Sequence, residues 1–142
     1  MKTKSFLSVF VISLFLLTTF TSCEKDPATQ LSGGVWIFEN LTSDTEDENI
    51  RSLVALAKAL MTDATLEFQD GGTYIITSPL MDEPTTGTWS LIGDDQLVLD
   101  PDDQLASTAN IETLTRKQLV YIETYSDMQD GTYSVTTSWT RE

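Results

Sequence analysis

GTYSVTTSWTR occupies residues 131–141, and it alternates without a break. Tyr133, Val135, Thr137 and Trp139 fall on one face, while Thr132, Ser134, Thr136, Ser138 and Thr140 fall on the other. Successive side chains of an extended chain point to opposite sides. This is therefore the pattern of a half-buried antiparallel strand, with its oily face inward and its hydroxyls in water.

The same grammar repeats toward the N-terminus. TLEFQ (65–69) and TYIIT (73–77) flank Asp70-Gly71-Gly72, a hairpin signal. GTWSLI (87–92) and QLVLD (96–100) flank Gly93-Asp94-Asp95. ANIETLT (109–115) and QLVYIETY (118–125) flank Arg116-Lys117. GGVWIFENL (33–41) is a first strand, with Trp36, Phe38 and Asn40 on one face. That makes eight strands with mostly short connections, so neighbours in sequence are expected to be neighbours in the sheet. Eight up-and-down strands expose two edges unless the sheet closes on itself. The expected fold is all-β with one helix: an eight-stranded antiparallel barrel.

The helix is the one change of period. In TEDENIRSLVALAKALM (45–61), Ile50, Leu53, Val54, Ala57, Leu60 and Met61 recur at three- and four-residue steps, one stripe of an amphipathic helix. Thr45 and Glu48 stand at capping-box spacing, and the helix is expected over about 46–62, between strands 1 and 2. The stripe reads as a packing face, so an aspartate at Leu53 is expected to loosen the fold.

Upstream, Lys2 and Lys4 precede an apolar run from Phe6 to Phe20, fifteen residues long. A spanning helix needs about twenty; a charged start, a short greasy middle and a small-residue end are the layout of a secretory signal. The end, FTSC (20–23), holds the chain's single cysteine and resembles the bacterial lipobox, Leu-small-small-Cys, with Phe20 in the leucine place. The resemblance implies cleavage after Ser22, a diacylglycerol on the Cys23 sulfur, and acylation of the new amino terminus by a palmitate-type chain. Each buried methylene contributes about 0.8 kcal/mol, and several chains together anchor stably. Glu24-Lys25-Asp26 resembles the surface-export tags of Bacteroidetes lipoproteins. The expected address is the outer membrane, lipid-anchored, on its periplasmic face or at the cell surface. The expected organisation is a signal over 1–22, a polar tether over 23–32, and one domain over 33–142.

Charge excludes some functions. The chain carries a net charge of −14. Loss of residues 1–22, which hold two lysines and no acid, shifts this to −16. Such a surface repels phosphate backbones, so no nucleic-acid partner is expected, and the lipid, rather than the surface, is the expected membrane contact. The chain has no histidine. Ser-His-Asp and Cys-His centres and His-ligated metals therefore have no ligands to use. The acidic cluster Asp94, Asp95, Asp100, Asp102 and Asp103 lacks EF-hand spacing. Glu123 is the sole inward carboxylate to consider for acid–base work and has no defined partner. The reading is non-enzymatic, with no cofactor and no metal.

Gly34-Val35-Trp36 opens the first strand. Gly-x-Trp at this place in an eight-stranded barrel resembles the lipocalin signature, and the layout resembles the lipocalin-like domains of Bacteroidetes lipoproteins. The resemblance implies that Trp36 plugs a closed end and that a basic residue near the end of the last strand packs across it. Arg141 fills that role here, and Gly34, Trp36 and Arg141 form the expected closed-end group. The helix departs from many lipocalins, which carry theirs after the last strand.

An eight-stranded barrel is just wide enough to be filled by its own side chains or to hold one small ligand. The expected inward set adds Leu66, Ile76, Leu91, Val135 and Trp139 to a candidate pocket of Phe38, Phe68, Tyr74, Trp89, Tyr121 and Tyr133. Two readings stay open: a lipid-anchored barrel binding a small hydrophobic ligand, or a packed barrel serving a protein partner at the outer membrane.

Overall fold

The computed structural model describes residues 25–127 and 131–142. The expected signal, Cys23 and Glu24 lie outside the described residues, as do residues 128–130. In chain order the elements are α1 (Pro27–Leu31), β1 (Val35–Ser43), α2 (Glu48–Leu60), β2 (Thr65–Phe68), β3 (Thr73–Thr77), β4 (Thr85–Ile92), β5 (Gln96–Pro101), β6 (Ser107–Leu114), β7 (Gln118–Asp127) and β8 (Gly131–Thr140). The strands form a closed barrel in sequence order. Each pairs antiparallel with the next, and β8 returns to β1 through pairs such as Phe38↔Trp139. Closure leaves no strand edge unpaired.

Two β-bulges steer the interior. In β1 the register shifts between Phe38 and Asn40, leaving Glu39 as the extra residue. An inserted residue reverses which side chains face inward. Trp36 and Phe38 face the core, but beyond the bulge Leu41 takes over from Asn40. The sequence alternation placed Asn40 with Trp36, and the bulge overturns this. A second shift, between Ile111 and Thr113 of β6, brings Leu114 against the core.

The segment read as a tether is partly structured. Asp26 caps α1, accepting from the Ala28 backbone N–H at 3.0 Å, with Pro27 in the first turn. A proline there loses no helical hydrogen bond. Leu31 at the end of α1 is fully buried, so α1 belongs to the barrel's packing and not to a free linker. The expected helix is present as α2, but its N-cap is Asp47 and not Thr45. The Asp47 carboxylate accepts from the Asn49 and Ile50 N–H groups at 2.8 and 2.9 Å.

The core runs through the barrel's lower part. Trp36, Leu66, Phe68, Tyr74, Leu97, Leu119 and Trp139 are at most 2% exposed. Gly87 makes room for one of them. A Cβ there would sit 2.4 Å from the Asp100 carbonyl oxygen and 2.8 Å from the Tyr74 ring, so only glycine lets that ring lie across β4.

Candidate functional site

The two ends of the barrel are built differently. At the closed end the Trp36 indole N–H donates to the Leu31 carbonyl at 2.9 Å, which satisfies a buried polar group. The Arg141 guanidinium lies 4.1 Å from the Trp36 ring centroid, a cation–π geometry. Its Nε donates to the Arg116 carbonyl, and burial lowers the Arg141 pKa. Gly34 sits at φ +155°, a conformation that side-chain-bearing residues rarely adopt. The three residues singled out in the sequence, Gly34, Trp36 and Arg141, thus meet at one place. Outside them lies a groove of about 600 Å³ lined by Lys25, Thr29, Arg116, Arg141 and Glu142 among others. Val35 and Ile37 add an apolar part to its wall, and the fully buried Trp36 lies beneath Arg141.

The opposite end is open. Between α2 and the barrel mouth lies a groove of about 510 Å³. α2 contributes Ile50, Leu53, Val54, Ala57 and Met61; the barrel contributes Leu41, Tyr133 and Val135. Glu123, Tyr125 and Gln104 complete the wall. The Tyr125 and Tyr133 rings stack with centroids 5.4 Å apart and planes at 20°.

Of the six residues expected in a pocket, Tyr133 lines this groove. The other five are elsewhere. Phe38 packs edge-on against Trp139 at 5.5 Å. Phe68 packs against Tyr74 at 6.5 Å and Trp89 at 5.2 Å, and Tyr121 is 4% exposed. These rings fill the barrel rather than line a space. A side chain's inward direction was visible in the strand parity, but its depth along the barrel axis was not, because depth depends on register between strands.

α2 leans over the mouth without sealing it. None of its residues is fully buried, and Leu53 is 65% exposed. The helix is tied down at its C-terminal end, where Ser78 Oγ donates to the Leu60 carbonyl. The expectation that Leu53 is a packing contact is therefore corrected: most of its surface faces solvent at the groove's rim.

Three buried or half-buried phenols have raised pKa values. Burial pushes Tyr121 and Tyr125 above the ordinary tyrosine value, and the neighbouring Glu123 charge adds to it. Tyr74 is pushed up to about 12, first by burial, then by Asp102, Asp100 and Glu123. Each phenol is thus held neutral at ordinary pH. Among the described residues no group of three or more His, Cys, Asp or Glu side chains is placed to hold a metal ion.

Residues 33–121 match the model of the lipocalin-like domain family. The chain belongs to the lipocalin-like domain family. Solved structures place this lipocalin-like barrel in the same fold. Bovine odorant binding protein, as a deswapped triple mutant, is 20% identical over 80% of this chain and 74% of its own, with a TM-score of 0.50. The same bovine protein in complex with a selenium-containing odorant is 18% identical over 81% of this chain and 72% of its own, with a TM-score of 0.50. A duf4847 family protein from Bacteroides vulgatus is 12% identical over 75% of this chain and 93% of its own, with a TM-score of 0.46. No curated protein matches the sequence. The match begins at Gly33, so the Gly-x-Trp that carried the resemblance opens the matched segment.

Proposed function

We propose that this lipocalin-like barrel is a lipid-anchored envelope lipoprotein that binds a small hydrophobic ligand at its mouth. The observation that carries the ligand reading is the groove of about 510 Å³ between α2 and the barrel, within the size range of small-molecule sites. Its walls are mostly aliphatic and aromatic, with Glu123, Gln104 and the tyrosine hydroxyls as polar groups. Bovine odorant binding protein, of similar fold, has been captured with an odorant.

The anchoring reading rests on the FTSC motif at residues 20–23. Lys25, two residues beyond Cys23, lines the groove outside the closed end. A lipid on Cys23 would therefore hold the closed end toward the bilayer and turn the mouth away from it. Ligand would then exchange with the aqueous side or with a partner rather than with the anchoring membrane.

A second reading, an interaction lipoprotein serving a protein partner, draws on the apolar rim. Leu53, Leu56, Leu80 and Leu105 are 65%, 57%, 60% and 92% exposed. One experiment addresses both readings. Mass spectrometry of the chain purified from membranes is expected to show two features: an intact mass carrying diacylglycerol and an acyl chain on Cys23, and a native mass with a small molecule bound. An unmodified Cys23 removes the anchor. A bare native mass that also stays unchanged on adding apolar ligands moves the function to the rim and a partner.

A further inference from the structure

The mouth groove is chemically lopsided. Most of its wall is apolar, and among the described residues lining it Glu123 is the one charged side chain. Glu123 pairs with Val135 across β7 and β8 and with Ala109 across β6 and β7, both of which are buried. Residues directly opposite on paired strands share a face, so this carboxylate points into the barrel and is half-buried. Tyr125 stands two residues further along β7 and so shares its face, and Tyr133 stacks on Tyr125. Carboxylate and ring faces together make one polar corner in an oily groove.

Among the described residues no cation lines this groove. Lys25, Arg116 and Arg141 line the groove at the opposite end. Arg51 and Lys58 of α2 are exposed and do not line the mouth. Asp100 and Asp102 lie close enough to act on Tyr74 with the same sign as Glu123. A ligand ending in a carboxylate would therefore set like charges together in a partly desolvated corner, which costs affinity. An ammonium group would pair with Glu123, and the electron-rich faces of Tyr125 and Tyr133 would attract it further.

We infer that the mouth selects an amphiphile with a cationic nitrogen head, the head at Glu123, Tyr125 and Tyr133 and the apolar tail under α2. This rests on the reading that the groove binds a small hydrophobic ligand, and it names that ligand's head-group class.

The test uses the full chain carrying 3-fluorotyrosine, with the four tyrosine signals assigned by single Tyr→Phe variants. The probes are octylammonium, octanoate and octanol, which share one tail and differ in charge. Fluorine NMR is expected to show octylammonium moving the Tyr125 and Tyr133 signals with an affinity about tenfold tighter than octanoate, and octanol between them. Glu123→Gln, which keeps size and shape, is expected to bring the two ions within about twofold. Octanoate binding as tightly as octylammonium, or a preference that survives Glu123→Gln, overturns the head-group assignment while octanol binding upholds the groove. If all three probes leave both signals unmoved, the ligand reading falls and the assignment falls with it.

Discussion

The closed end and the mouth of this barrel use the same kinds of residue to opposite ends. At the closed end an aromatic ring is sealed on every side: Trp36 is fully buried, bonded to Leu31 and covered by Arg141. At the mouth, Tyr125 is 38% exposed and stacks on Tyr133. The closed end is covered by α1, whose Leu31 is fully buried; the mouth is covered by α2, none of whose residues is. Local stability follows buried apolar contact. One end is therefore tightly packed, and the other is packed more loosely.

The largest expected effect tests the closed end. Trp36→Ala removes a fully buried indole and leaves the Leu31 carbonyl without its donor. Deletions of this size cost about 3–5 kcal/mol, a large share of the roughly 5–15 kcal/mol that keeps a domain folded. Urea denaturation is the measurement. A loss below about 1 kcal/mol would mean that the closed end is not where stability resides.

Arg141→Gln is the intermediate case. It keeps a polar side chain of moderate length but removes the cation above Trp36 and the bond to the Arg116 carbonyl. A cation–π contact contributes about 0.5–2 kcal/mol, so a loss within that range is expected, again by denaturant midpoint. A neutral result would show that the guanidinium merely shields the indole, without holding it.

These contrasts were unequally legible in the sequence. The eight-strand closure followed from alternation and turn residues, because both are local. The Trp36–Arg141 pairing was implied by the lipocalin resemblance, and topology agrees, because the start of β1 and the end of β8 must meet in a closed barrel. α1 had a visible signal in Asp26-Pro27, an N-cap followed by a first-turn proline. With Ala28 and Leu31 as its apolar residues, that segment is too short for periodicity to mark a helix. The bulges at Glu39 and between Ile111 and Thr113 left no mark, since an extra residue in one strand shows only against its partner. They decide that Leu41 reaches the mouth and that Asn40 does not. The groove itself was hidden for a related reason: parity tells which residues point inward, while the tilt of α2 decides how far down the space extends. Glu123 was identified as inward and weighed for catalysis. Its place in the mouth wall, among apolar residues and phenols, came only with the structure.

The smallest expected effect on stability separates the two ends most sharply. Leu53 belongs to the apolar stripe of α2, and the stripe alone predicts that a charge there loosens the fold. With 65% of its surface exposed, Leu53 has little burial to lose. Leu53→Asp is expected to change the unfolding free energy by no more than about 0.5 kcal/mol. The same substitution puts a second carboxylate on the groove wall beside the ligand's tail, so octanol affinity is expected to fall while the melting curve stays put. The pairing of readouts matters more than either alone. Lost affinity at constant stability makes α2 a wall of the site that carries little of the fold. A melting temperature that drops as far as it does for Trp36→Ala would instead make α2 the mouth's structural counterpart of α1, and the division of labour between the two ends would be wrong.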